Sequence, residues 1–346
     1  MTEVPMTPTL TQLIAPYHSV SIIGMCKNAG KTTVLNRLIE EAAQNGRLLA
    51  LTSIGRDGED KDLVTGTRKP GIAIPEGTLV ATASDLILSH CDVTREILDT
   101  TGISTPMGQV VILRARSDGN IQLAGPSITA QLARLREDLF RFGADLVLID
   151  GALSRKTLCS RKVTEATILC TGASYHKNIH TVVEDTAYHC QLLTLPETED
   201  EAVRAWVQSM ADFRGVAIFG GGEPRILPAG VELSEALRRS GGEARAVFFG
   251  GALSDFVLKP LLMSVAPLKG LTFLVRDSSK LLLKQDSFEK LLRRGVELRV
   301  LDNVNLVAVT VNPFSAYGFH FSKDELMERM AERVNLPVIN VMEDKT

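Results

Sequence analysis

No stretch of the chain approaches the roughly 18 consecutive apolar residues that a membrane-crossing helix needs, so no spanning segment is expected. An excess of basic charge is missing too: 38 Lys and Arg stand against 41 Asp and Glu, for a formal net charge of −3. Proteins that grip a phosphate backbone carry a basic excess, so nucleic acid is not an expected partner. Cysteine is sparse, five in all and without a Cys-x-x-Cys pair, which fits reduced thiols better than a disulfide frame or a zinc site. The opening segment 1–11 holds Glu3, Pro5 and Pro8 where a secretory leader would be basic and then apolar. The expected location is therefore the cytoplasm. A His-Glu-x-x-His motif is absent, as is a Ser-His-Asp or Cys-His pattern in a recognisable context. His176 and His180 lie at i, i+4 on an expected helix, but no third zinc ligand accompanies them.

What the chain does have is 346 residues, 45% of them hydrophobic, enough for two domains or one large α/β domain. Its most telling stretch is Ser21-Ile22-Ile23-Gly24-Met25-Cys26-Lys27-Asn28-Ala29-Gly30-Lys31-Thr32-Thr33. A β-branched apolar run leads into a small-residue loop, and Val34, Leu35, Leu38 and Ile39 then recur at helical spacing. Such a strand, loop and helix start is the pattern of a P-loop. Successive backbone N–H groups cradle phosphates, a Lys (Lys31) reaches the β/γ-phosphates and a Thr hydroxyl (Thr32) binds Mg²⁺. The spacing is irregular, because the first glycine is Gly24 and Met25 occupies its usual place. Lys27 sits inside the loop, where it adds charge toward a transferring phosphoryl group or faces solvent. Cys26 is either a small loop residue or a redox-sensitive one.

Apolar strands alternating with helices along the chain predict an α/β fold: a mostly parallel sheet with helices on both faces, followed by a second α/β region. Strands are expected at 47–52, 78–83, 109–116, 120–124, 145–149 and 165–170, and helices at 32–44, 83–89, 93–99, 128–142 and 182–188. Ser117-Asp118-Gly119 is read as the turn of a hairpin. A polar, acidic stretch near 195–201 marks the expected boundary between a domain of 1–195 and one of 196–346, the latter a separate domain or a continuation of the same sheet. Later strands are expected at 216–219, 245–249, 271–276 and 306–311, and helices at 234–239, 253–265, 287–294 and 323–334.

In an open α/β sheet, ligands gather outside the carboxyl ends of strands. Asp150 ends the apolar run 146–149 and is the candidate Mg²⁺ acid. Asp57, with Asp60 second, follows another strand and is the candidate for metal or water positioning. The segment Thr171 to Ser174 is either a second anion-facing turn or a plain connection, and Arg155, Lys156, Arg161 and Lys162 form a solvated or nucleotide-facing segment. No Asn-Lys-x-Asp guanine motif is present, which tips the expected nucleotide toward ATP over GTP.

The loop KNAGKTT resembles that of the molybdopterin-guanine dinucleotide biosynthesis adaptor, and the five-residue gap between its glycines resembles dethiobiotin synthetase; both belong to the SIMIBI class of P-loop proteins. GMCKNAGKTT, TSIGRDGEDKD, LVLIDGALSRKT, ILCTGAS and VNPFSAYG together resemble the P-loop subunit of the lysine 5,6-aminomutase reactivase across most of the chain. That resemblance implies ATP turnover, with a MutS-like partner subunit, that restores an adenosylcobalamin-dependent aminomutase. By analogy with the dethiobiotin and cobyrinic acid synthetases, Asn312 would read the base; an Asn-Pro turn ending a strand is the plainer reading. The alternatives are a biosynthetic ligase of the dethiobiotin or cobyrinic acid synthetase kind and a non-catalytic nucleotide switch. A homodimer is among the states the sequence allows.

Overall fold

The computed structural model describes residues 8–55, 71–151, 163–228 and 230–342. The chain divides into two compact units, Met1–Cys190 with Asn305–Thr346 and Gln191–Val304. Among the described residues no helix is long and apolar enough to cross a membrane.

The first unit opens with α1 (Leu10–Ile14), which Thr9 and Gln12 cap reciprocally. Next come β1 (Ser19–Gly24), α2 (Lys31–Gln44), β2 (Leu49–Ser53), β3 (Ile72–Ile74), β4 (Leu79–Ala83) and α3 (Ser84–Ser89). They are followed by β5 (Arg95–Thr105), β6 (Gly108–Ala115), β7 (Gly119–Ile121), α4 (Thr129–Arg141), β8 (Leu146–Asp150), β9 (Ala166–Gly172) and α5 (Ile179–Leu193). Every residue of β1, β2, β4 and β9 is buried, so these strands are covered on both faces, which is why they read as unbroken apolar runs. On one face, Val34, Leu35, Leu38 and Ile39 of α2 and Leu10 and Ile14 of α1 join Val20, Ile22, Leu148 and Ile168 in a single core. Each such side chain contributes about 1.5–3 kcal/mol of burial, offset by chain entropy.

The second unit holds α6 (Glu201–Ser209), β10 (Val216–Phe219), β11 (Arg225–Ile226), α7 (Leu233–Arg239), β12 (Ala246–Phe249), β13 (Leu253–Ser254), α8 (Asp255–Met263), β14 (Thr272–Val275), β15 (Leu281–Leu282), α9 (Gln285–Arg293) and β16 (Glu297–Val300). Its five-stranded sheet runs β11-β10-β12-β14-β16, with β12, β14 and β16 parallel. Trp206, Phe213, Phe219 and Phe248 pack into its core, and the Arg276 guanidinium lies 5.3 Å from the Phe248 ring.

The chain then returns to the first unit as β17 (Leu306–Asn312), α10 (Lys323–Arg333) and β18 (Val338–Asn340). These strands complete a nine-stranded sheet in the order β18-β17-β9-β1-β8-β2-β4-β6-β5. From β18 to β4 every neighbour is parallel; β6 and β5 are added antiparallel.

Several expectations are corrected. Strands β17 and β18 join the first sheet and the second unit ends at Val304, so the closing part of 196–346 follows the same-sheet alternative while the part up to Val304 forms a unit of its own. The segment 93–99 is not helical but enters β5, an edge strand whose Ile97, Thr100, Thr101, Ile103 and Thr105 are β-branched. The 117–119 corner does not close a hairpin. Asp118 Oδ1 accepts the Glu76 N–H at 2.8 Å and Asp92 accepts the Asn120 N–H, which directs β7 onto β3. The hairpin is β5–β6, turning at Pro106-Met107. Helix α6 and strand β16 were not anticipated.

Candidate functional site

Strand β1 ends at Gly24, and the loop 25–30 carries the chain into α2. Met25 N–H donates to the Cys170 carbonyl at 2.9 Å, pinning the loop to the neighbouring β9. Two residues then adopt left-handed backbone, Asn28 at φ 61° and Gly30 at φ 95°. Asn tolerates that region better than most residues and Gly adopts it freely. Gly30 is the N-cap of α2 and supplies no side-chain cap, and the first turn holds no acidic residue. The amides of Lys31, Thr32 and Thr33 thus stand at the positive end of the helix dipole without intrahelical acceptors. Space around Gly30 is tight as well. A Cβ there would lie 3.2 Å from Val341 Cγ2 and 3.4 Å from Asn312 Cβ.

The Lys31 side chain folds back over the end of β1. A Cβ on Gly24 would meet its Cγ, Cδ and Nζ at 3.0 Å, and Nζ donates to the Cys26 carbonyl at 3.5 Å. An ammonium so placed hangs over the loop's concavity. Ala29 is buried, Cys26 and Thr32 are half-buried, and Lys27 and Thr33 are exposed.

Asp150 stands at the carboxyl end of β8, beside β1, in register with Ile22 on one side and Ser53 of β2 on the other. The Gly151 N–H donates to the Ile22 carbonyl at 3.0 Å and the Ile54 N–H to the Asp150 carbonyl at 3.0 Å, which fixes the backbone beneath the carboxylate. The fields of Lys31 and Asp150 converge on Cys170. Burial pushes that thiol up to about 12, with Thr310 and Lys31 opposing the rise and Asp150 adding to it. Burial also raises the Cys26 thiol, and the Lys31 charge works against it. The loop, the lysine and the strand-end acid are therefore gathered at the carboxyl ends of the central strands.

Asn312 ends β17 next to Gly30, but its Oδ1 accepts the Phe314 N–H at 3.0 Å in an Asx turn. Its oxygen thus serves the local chain, the plainer of the two readings. The Thr171–Ser174 connection is likewise tied into the fold. The Thr171 and Thr186 hydroxyls meet at 3.0 Å, and Ser174 Oγ accepts the Ala316 N–H at 3.1 Å. His176 and His180 do not share a helix, since α5 begins at Ile179; His176 Nδ1 accepts the Asn178 N–H. Asp57, Asp60, Arg155, Lys156, Arg161 and Lys162 lie outside the described residues.

Sequence reasoning missed Tyr175, whose hydroxyl donates to Asp185 Oδ2 at 2.8 Å. Burial, then that carboxylate, drives its phenol up, and the influence of Cys26 on it sets the pair beside the loop. The only signal was its position just past the small-residue turn after β9. Among the described residues no three His, Cys, Asp or Glu side chains gather as a metal cluster. No protein-family model matches the chain, and no curated protein does.

Proposed function

We propose that the chain binds a Mg²⁺–nucleoside triphosphate, ATP ahead of GTP, on the Gly24–Thr33 loop, as a P-loop protein, and hydrolyses it in the cytoplasm. The observation that carries this reading is Lys31 folded over Gly24, its Nζ directed at the Cys26 carbonyl, above a helix start whose amides lack acceptors. A phosphate group satisfies both: it takes the orphan amides as donors and replaces one weak neutral acceptor of Lys31 with a charged one. The residues suit the metal too. Mg²⁺ prefers oxygen ligands and keeps several waters, and Thr32 and Asp150 would hold it, with Asp57 as the further candidate. When bound, the metal neutralises charge on the phosphate oxygens. Lys31 would hold the phosphate end in place, and the buried Ala29, Cys170 and Val341 pack beneath the loop that carries it.

The use of that turnover is proposed from the motif resemblance: restoration of an adenosylcobalamin-dependent aminomutase, together with a MutS-like partner. Hydrolysis suits such work because a nucleotide shifts a conformational equilibrium only through its differential affinity for the two states, and cleavage resets that difference. The test is phosphate release from ATP and GTP, with and without Mg²⁺, with the chain alone and with the aminomutase and the MutS-like subunit added. Turnover stimulated by those partners supports the reading. Turnover indifferent to them removes the reactivase role, and no turnover under any condition removes hydrolysis.

A further inference from the structure

Helix α8 in the second unit has two apolar faces where a surface helix needs one. Leu258 and Leu261 are buried. Phe256, Pro260 and Met263, at i, i+4 and i+7, fall on the opposite side, with Phe256 88% and Met263 78% exposed. Val257 and Val265 are exposed beside them, and Leu282 of β15, 60% exposed, extends the apolar surface. Helix α9 lies alongside α8 with the same direction. The Lys284 N–H donates to Asp255 Oδ1 at their N-terminal ends, and Arg294 Nη1 donates to the Leu262 carbonyl at their C-terminal ends. Scattered exposed apolar side chains are ordinary, but a contiguous helical stripe marks an interaction surface.

The charge around the stripe says what it suits. Leaving aside Arg276, which lies over the Phe248 ring in the unit's core, the segment from Asp255 to Arg294 holds seven Lys and Arg against four Asp and Glu, a local balance of +3 in a chain of −3. The acids are already engaged: Asp286 pairs with Lys290, Glu289 with Arg293, Asp255 accepts the Lys284 N–H and Asp277 the Ser279 N–H. Lys259, Lys280 and Lys284 have no ion-pair partner among the described residues. Lys259 lies on the stripe's own face of α8, and Lys280 and Lys284 flank Leu282 in sequence.

We propose that this face docks an acidic amphipathic helix of a partner protein. Its apolar side would cover Phe256, Pro260 and Met263, and its carboxylates would meet Lys259, Lys280 and Lys284. A second copy of this chain would set like charges against like, which costs affinity. An anionic membrane is less well served. Polybasic lipid sites draw on about four to eight basic residues gathered together, and of the segment's four lysines without an ion-pair partner among the described residues only Lys259, Lys280 and Lys284 border the stripe in sequence, beside a helix of 9 residues with Pro260 inside it. Met and aromatic residues are enriched in the centre of protein interfaces, whereas lysine is confined to their rims.

The experiment uses the full chain and two fluorescein-labelled helical peptides with the same Leu positions, one with Glu on its polar face and one with Lys. Fluorescence anisotropy without nucleotide is expected to show binding of the Glu peptide at least about tenfold tighter than the Lys peptide, so the result is independent of the nucleotide reading. The doubly substituted Phe256→Glu, Met263→Glu chain is expected to lose that binding. The Lys259→Glu, Lys280→Glu, Lys284→Glu chain, which leaves the apolar stripe intact, is expected to reverse the preference. Equal affinity for both peptides, or binding by neither, overturns the proposal. So does a dimer that Phe256→Glu dissolves on size exclusion, or sedimentation with phosphatidylserine vesicles that Phe256→Glu abolishes.

Discussion

Lys31 lies across Gly24 so closely that a Cβ at position 24 would sit 3.0 Å from its Nζ. The contact is with the far part of a flexible side chain, so Gly24→Ala is expected to fold with a melting temperature within a few degrees of the parent. Because the added methyl displaces Lys31 from over the loop, ATP affinity should fall by about tenfold. Differential scanning fluorimetry and a nucleotide titration on the same variant check both halves. A large loss of stability with unchanged affinity would contradict the account.

Two other glycines are demanded by backbone, and they behave differently. A Cβ at Gly125 would approach the Ser53 carbonyl oxygen to 1.8 Å, and one at Gly172, at φ 155°, the Asn312 carbonyl oxygen to 2.1 Å. Backbone held in a sheet gives way only by moving strands, so each Gly→Ala change is expected to cost about 3 kcal/mol or more. Gly46→Ala, at φ 64° with nothing within 4 Å, should cost only the left-handed strain, about 1–2 kcal/mol. Urea denaturation orders the three, and a smaller loss at Gly125 or Gly172 than at Gly46 would contradict the close approach.

The central strands were legible because burial on both faces writes itself as an apolar run, as in 146–149 and 166–170. Helices with one buried face, such as α2, α4 and α10, were legible from 3.6-residue spacing to within one or two residues. Strand β5 was not, since an edge strand with bulges between Ile97 and Asp99 and between Thr100 and Ser104 has no clean alternation. The return of β17 to pair with β9 is a long-range choice that no local pattern encodes. At the candidate site, the placement of Gly30 and Lys31 at a helix start and of Asp150 at a strand end was readable from the local pattern. The Asx turn that occupies the Asn312 oxygen depends on a backbone geometry visible only once folded.

The thiols give a chemical check on the loop. Burial holds Cys170 and Cys190 up to about 12, so neither should react with iodoacetamide at pH 8 until the chain unfolds. Cys26 is also raised by burial, with Lys31 pulling it down. Lys31→Ala removes that pull, and the Cys26 alkylation rate should drop below that of the parent. Peptide mass spectrometry reads each site, and Cys170 labelled in the folded protein would contradict the packing.

Asp92 gives a pH signature. Its carboxylate accepts both the backbone N–H and the side-chain Nδ2 of Asn120, and these bonds hold it below the ordinary carboxylate value. A group whose folded pKa is depressed adds stability above its unfolded pKa, about 3.9, and that contribution is lost as pH falls through the folded value. Asp92→Asn should therefore flatten the loss of stability as pH falls below about 4. Chemical denaturation across that range measures it, and parallel profiles for parent and variant would contradict the assignment.

The central claim is that Lys31 and the loop before it hold the phosphates of a nucleotide. Calorimetric titration of Mg²⁺–ATP into the full chain and into Lys31→Ala tests it most directly. The parent is expected to bind one equivalent, and the variant to bind about 10- to 100-fold more weakly, as the loss of a charge-assisted phosphate bond implies. Equal affinity in the two proteins, or no binding by the parent, would contradict the account.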